Sequence, residues 1–212
     1  MATFALIHGG GDVGWYWHVV ARELGRRGHD VVAPDLPCDD DSAGLPEYVD
    51  TVVDAIGDGH DLVVVAQSYG GFTAPLVADR LQVGALVLVA GMIPAPGEAP
   101  ADWWDNTGYR QAVRDQALRD GGLTGNDDPF IAFYHDVPRA LAEKAMSKER
   151  SESKTAYNSP WPLDASEHVK AGETTSHADL MSAWGVGWLI QATVGSFGGV
   201  GRRCRNRAGL AA

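Results

Sequence analysis

Apolar positions in the first ninety residues switch repeatedly between a strand-like run and a helix-like stripe. Phe4 to Ile7 is a short apolar run that enters the glycine loop His8-Gly9-Gly10-Gly11, which predicts a buried strand. Trp15 to Arg27 predicts a helix, with Trp15, Val19, Val20 and Leu24 on one face and Gly28 as its stop. Asp30 to Ala33 predicts a second strand, closed by Pro34. Pro46 suits a first helical turn, where its missing N–H costs nothing. The helix it opens carries Tyr48, Val49, Val52, Val53 and Ile56 and stops at Gly57. Leu62 to Ala66 is β-branched, as in a strand covered on both faces. Gln67-Ser68-Tyr69-Gly70-Gly71 breaks it, a helix from Phe72 to about Leu81 follows, and Val83 to Ala90 predicts a fourth strand. Strand and helix in strict alternation with short turns imply a parallel sheet with right-handed crossovers, an α/β fold.

The pattern changes at Met92. Pro94, Pro96, Gly97 and Pro100 make a linker, and residues 102–160 are polar and dotted with aromatic side chains. Arg110 to Asp120 and Pro138 to Arg150 predict helices within it. An insertion of this kind after a core strand reads as a helical cap over a site, or as surface helices against the sheet edge. The expected organisation is a core over 1–93, a cap over 94–160 and a C-terminal segment over 161–212. That last segment departs from the rest: Asp164 to Asp179 is polar, Trp184 to Phe197 is broken by glycines, and Gly201 onward is basic. No further core strand is expected there, so the sheet reads as incomplete, with a bare edge that favours a homodimer. A shift of reading frame near Leu163 to Glu167 would produce such a change, and translating the other frames of the gene tests it.

Composition narrows the function classes. A chain of 212 residues suits one domain with a full core. The net charge of −11 argues against nucleic acid or an anionic membrane surface as partner. The N-terminus has neither the basic start of a signal peptide nor the length of a span. Two distant cysteines, Cys38 and Cys204, make no disulfide framework and fit a reducing cytoplasm. No His, Cys or Asp cluster has metal-ligand spacing, so no metal is expected.

The chemistry centres on Ser68. A serine on a sharp strand-to-helix turn is exposed at the carboxyl end of the sheet, above the positive end of a helix. Such a turn needs small residues two before and two after, and these are Ala66 and Gly70. The plainer reading of the string is a serine capping an ordinary helix. The glycine loop after the first strand can offer a second N–H to an oxyanion, that of Gly10. His8 stands at a strand end and reads as a residue that fixes the loop. Candidate bases are His168 and His177, with Asp164, Glu167, Glu173 or Asp179 as orienting acid, or none of them. The pair Asp164 and His177 keeps the chain order Ser, Asp, His. Trp15, Trp103 and Phe133 are candidate pocket walls, and equally candidate core residues.

As a set, Ile-His-Gly-Gly-Gly, Trp15-Tyr16-Trp17, Val-Val-Ala-Pro-Asp-Leu-Pro and Val-Val-Val-Ala-Gln-Ser-Tyr-Gly-Gly resemble the α/β-hydrolases of the plant methylesterase and hydroxynitrile-lyase type. The resemblance covers residues 3 to about 160, and Tyr134-His135-Asp136 is similar to that family's cap. It implies an α/β-hydrolase fold with a mostly parallel sheet, flanking helices and a cap. It also implies Ser68 as nucleophile, Gly10 and Tyr69 as oxyanion donors, no cofactor, and a small-molecule ester substrate. The alternatives are cyanohydrin cleavage, or a scaffold that binds small ligands without turnover.

Overall fold

The computed structural model describes residues 1–163 and the strand backbones at 171–175 and 192–195. Strands β1 (Thr3–Ile7), β2 (Asp30–Val32), β3 (Leu62–Gln67) and β4 (Val83–Val89) are parallel, and β1 lies between β2 and β3. Crossovers carry α1 (His18–Arg26), α2 (Leu45–Ile56) and α3 (Ala74–Arg80). Short 3-10 turns at Gly14–Trp17 and Ser68–Phe72 precede α1 and α3.

α2 begins where Glu47 accepts the Gly44 N–H at 2.7 Å, a carboxylate capping the helix start. Its stripe of Tyr48, Val49, Val52 and Ile56 is buried and forms one core with Leu76 and Val77 of α3 and Val64, Leu86 and Leu88 of the sheet. α1 corrects the expected face: Val19 is 49% exposed and no residue of the helix is fully buried. It packs against β2, the edge strand, where there is less sheet to cover it. β3 alternates buried and half-buried positions instead of being covered equally on both faces.

After β4 come α4 (Pro100–Asn106), α5 (Tyr109–Asp120), α6 (Pro129–Ala132), α7 (Arg139–Met146) and α8 (Lys154–Asn158). α7 stops four residues before the expected end at Arg150. α5 has no buried residue. The segment returns to the core through its far end. Tyr16 donates to the Ala145 carbonyl at 2.9 Å, and the buried Trp161 Nε1–H donates to the Phe72 carbonyl at 2.9 Å.

The expectation that no strand follows Leu163 is corrected. β5 (Ala171–Thr175) and β6 (Ala192–Gly195) complete a six-stranded sheet in the order β2-β1-β3-β4-β6-β5. β6 is antiparallel to β4, so the outer edge of β4 is covered. Pairing of this kind uses backbone N–H and C=O groups that every residue carries, so it needs no apolar run in the sequence.

Candidate active site

Ser68 follows the last residue of β3 and has φ +50°, in the left-handed region that non-glycine residues rarely occupy. The turn is held from both flanks. The Met92 N–H donates to the Ser68 carbonyl at 2.9 Å. A side chain at Gly70 would begin 2.8 Å from the His8 carbonyl oxygen, and one at Gly71 would collide with the Met92 backbone. The glycines are therefore required by close backbone approach on both flanks of the turn. Such strain persists only where the surroundings over-determine it.

The β1 loop lies against this turn. Gly10 faces Tyr69, since a side chain at Gly10 would start 3.3 Å from the Tyr69 Cβ. Gly9 faces the Gln67 amide in the same way. The structure thus sets Tyr69, the neighbour of Ser68, against Gly10, almost sixty positions away. Met92, which the sequence reading treated only as a boundary, is a further partner of the turn.

His8 is buried, with both ring nitrogens engaged. Nε2 accepts the Leu36 N–H at 3.0 Å, so Nδ1 carries the proton and donates to the Gly9 carbonyl at 2.8 Å. Burial holds its pKa below the usual histidine value, opposed by the Gly9 hydrogen bond. The ring is a neutral brace between the loops after β1 and β2. Asp35 Oδ1 accepts the Gly14 N–H at 2.7 Å and anchors the turn that carries Trp15. Other described histidines also serve the backbone: His18 bonds the Trp15 carbonyl and His29 accepts the Ala2 N–H.

Two acids stand behind the loop. The Asp12 carboxyl is pushed up to about 6, chiefly by burial and then by Glu149. Glu152 is also raised, chiefly by burial, although it accepts from Tyr48 and Gly11. Cys38 packs in the same buried group and is pushed up to about 12 by burial, so it stays a thiol. Sequence reasoning passed over Asp12 and Glu152, because nothing local marks them.

The candidate pocket walls fall in separate places. Trp15 stacks on His18 with centroids 4.3 Å apart, and the Lys144 and Lys148 ammonium groups lie 5.2 and 5.3 Å from its ring centroid. Trp103 meets Trp104 edge-on and donates to the Ile93 carbonyl at 3.0 Å. Phe133 is 57% exposed. His177 and Asp164, with the alternatives His168, Glu167, Glu173 and Asp179, lie outside the described residues, or in strand backbone whose side chains are not described. Among the described residues, no group of three or more His, Cys, Asp or Glu side chains has metal-holding geometry, and no helix is long and apolar enough to cross a membrane.

Comparison with known proteins agrees with this geometry. A putative methylesterase, number 19, from Arabidopsis thaliana is 31% identical over 159 residues, covering 68% of this chain and 61% of the relative. Norfluorocurarine synthase 1 of Strychnos sp is 27% identical over 164 residues, covering 70% of this chain and 61% of the relative. The chain therefore spans about three fifths of the length of these curated relatives. An extracellular α/β-hydrolase from a Paenibacillus species superposes with a TM-score of 0.58 at 23% identity, over 77% of this chain and 72% of the other, a likeness of fold. Residues 4–188 match the profile described as the Alpha/beta hydrolase family, and with the turn at Ser68 and the parallel sheet behind it this chain belongs to that family.

Proposed function

We propose that this protein is a serine hydrolase that acts on a small, largely apolar ester, with Ser68 as nucleophile. The observation that carries the reading is the strained turn at Ser68, φ +50°, packed against the β1 glycine loop. Strain of this kind costs about 1–3 kcal/mol and clusters at active sites. Esterases among the relatives support the ester class.

In the proposed reaction the Ser68 hydroxyl attacks the ester carbonyl while His177, oriented by Asp164, takes its proton. The N–H groups of Gly10 and Tyr69 receive the oxyanion. The alcohol departs with the proton from His177, and water repeats the sequence on the acyl-enzyme. Residues 94–160 act as the cap, with Trp15, Trp103 and Phe133 on the segments that follow β1 and β4 toward the substrate.

A fluorophosphonate probe with intact-mass readout tests the reading. Rapid addition of one label, absent in Ser68→Ala, is expected. A folded wild-type protein that takes no label would show that Ser68 is not activated, leaving a scaffold without this chemistry. Removing a base from such a triad costs roughly 10⁴–10⁶ in kcat, so the two outcomes are far apart.

A second reading, cyanohydrin cleavage by the same serine, draws on Lys144 and Lys148 beside Trp15, which place positive charge next to a proposed pocket wall. Cyanide release from mandelonitrile, lost in Ser68→Ala, distinguishes it.

A further inference from the structure

The segment that closes the proposed cap reaches back to the β1 loop and holds one residue of it at both backbone groups. The Arg150 N–H donates to the Gly11 carbonyl at 2.7 Å, and the Gly11 N–H donates to Glu152 Oε2 at 3.1 Å. Glu152 is itself fixed by the Tyr48 O–H, which donates to Oε1 at 2.6 Å from the buried face of α2. The same oxygen that accepts from Gly11 lies 3.4 Å from where a side chain at Gly10 would begin. Neighbouring contacts secure the segment to other loops: Arg150 Nη2 donates to the Leu36 carbonyl at 2.9 Å, and Ser153 donates to the Ala43 carbonyl.

Gly10 stands between two peptide planes. The first contains the Gly9 carbonyl and the Gly10 N–H, which point in opposite directions in a trans peptide. Its carbonyl accepts from His8 Nδ1 at 2.8 Å and from the Asp12 N–H at 3.2 Å, which sets the direction of the Gly10 N–H. The second contains the Gly11 N–H, held by Glu152. Without that hold, the plane after Gly10 rotates about two glycine bonds, since Gly10 and Gly11 have no Cβ to restrain them. Gly11 sits at φ +70°, reached freely by glycine and therefore easily left.

We infer that Glu152 is a positioning residue for the oxyanion site: by accepting the Gly11 N–H it holds the peptide that follows Gly10, while His8 and the Asp12 N–H hold the peptide that carries the Gly10 N–H, so that Gly10 stays against Tyr69. The inference rests on the reading of Gly10 as an oxyanion donor. It also ties the end of the cap to the site, because Glu152 and Arg150 lie just beyond α7. Both Glu152 oxygens accept, Oε1 from the Tyr48 O–H and Oε2 from the Gly11 N–H, while burial raises its pKa. The part played by Glu152 is therefore that of an acceptor, which glutamine also supplies.

The test uses the full chain in two variants and two readouts. Glu152→Gln keeps an acceptor for the Gly11 N–H and removes the charge; Glu152→Leu removes the acceptor. In ¹⁵N-glycine spectra, Gly11 amide exchange is expected to rise about tenfold or more in Glu152→Leu and to stay within about threefold of wild type in Glu152→Gln. The second-order rate of fluorophosphonate labelling is expected to fall about 10- to 100-fold in Glu152→Leu and to be retained in Glu152→Gln, since loss of one oxyanion donor costs about 10²–10³. Unchanged Gly11 exchange in folded Glu152→Leu overturns the clamp. Faster exchange with unchanged labelling overturns the positioning role. If Glu152→Leu does not fold, the Gly11 amide resonance in Glu152→Gln decides: an upfield move supports the contact, and no move overturns it. A wild-type chain that takes no label counts against Ser68 as nucleophile, and the exchange result then still decides the contact.

Discussion

The Met92 N–H donates to the Ser68 carbonyl at 2.9 Å, so the chain just after β4 holds the turn just after β3. Ala90, two residues before Met92, shares the left-handed backbone of Ser68, with φ +47° against +50°. Two strained residues thus stand at neighbouring strand ends, and the hydrogen bond ties Ser68 to the residue two beyond Ala90.

That strain predicts an order of stabilities. Ser68→Ala keeps a Cβ and keeps the strain, whereas Ser68→Gly removes both. A left-handed non-glycine residue costs about 1–2 kcal/mol, partly offset by the greater freedom that glycine loses on folding. Ser68→Gly should be about 0.5–1 kcal/mol more stable than Ser68→Ala in urea denaturation. A Gly variant less stable than the Ala variant would count against strain at this position.

Gly71 is predicted to tolerate no side chain. Its Cβ position overlaps the Met92 backbone carbonyl, which cannot swing away as a flexible side chain would. Gly71→Ala should cost about 2–4 kcal/mol, in the range of overpacked core sites, and the midpoint of thermal unfolding measures it. A loss under about 0.5 kcal/mol would show that the backbone of Met92 yields.

Asp12 and His8 give opposite dependences on pH. Burial pushes the folded Asp12 carboxyl up to about 6, above its ordinary value of 3.8, so the folded state binds more protons between these values. Its effect is that stability falls as pH rises from about 4 to 6. Asp12→Asn should therefore be about 1–3 kcal/mol more stable than wild type at pH 8, with the gain vanishing below about pH 4. His8 is lowered from 6.5, so the unfolded state binds more protons below that value, and its effect is that stability falls as pH drops through 6.5. His8→Gln keeps an acceptor for the Leu36 N–H and should flatten that acid-side loss in denaturation curves taken from pH 7.5 to 5.

Trp161 fastens the end of the proposed cap to the Ser68 helix turn. Its ring is buried, and its Nε1–H supplies a partner for the Phe72 carbonyl at 2.9 Å. Trp161→Phe removes the donor and leaves space, and should cost about 1.5–3 kcal/mol by chemical denaturation. A neutral change would show that the Phe72 carbonyl finds another donor.

The alternating pattern up to Val89 was legible because strand and helix periods are local properties of apolar spacing. α2, with Pro46 near its start and Gly57 at its end, is the clearest case, and β1, β3 and β4 follow within a residue or two. The position of Ser68 was legible for the same reason: a β-branched run, a serine flanked by small residues and a helix lie in one stretch of chain. The face of α1 was misread because its spacing says which residues align and not how much sheet lies beneath them. β5 and β6 were missed because backbone pairing on an open edge leaves no apolar signature.

What the sequence determined by itself is therefore the order of elements up to Val89, the parallel core and the identity of the residue on the strained turn. Tertiary structure alone decided what supports that turn. Glu152 meets Gly11 across 141 positions and Leu36 meets His8 across 28, contacts with no period or spacing to announce them. Hydrogen bonds of this range arise only after the sheet has brought distant loops to its carboxyl end, where a buried N–H must find an acceptor wherever the chain supplies one.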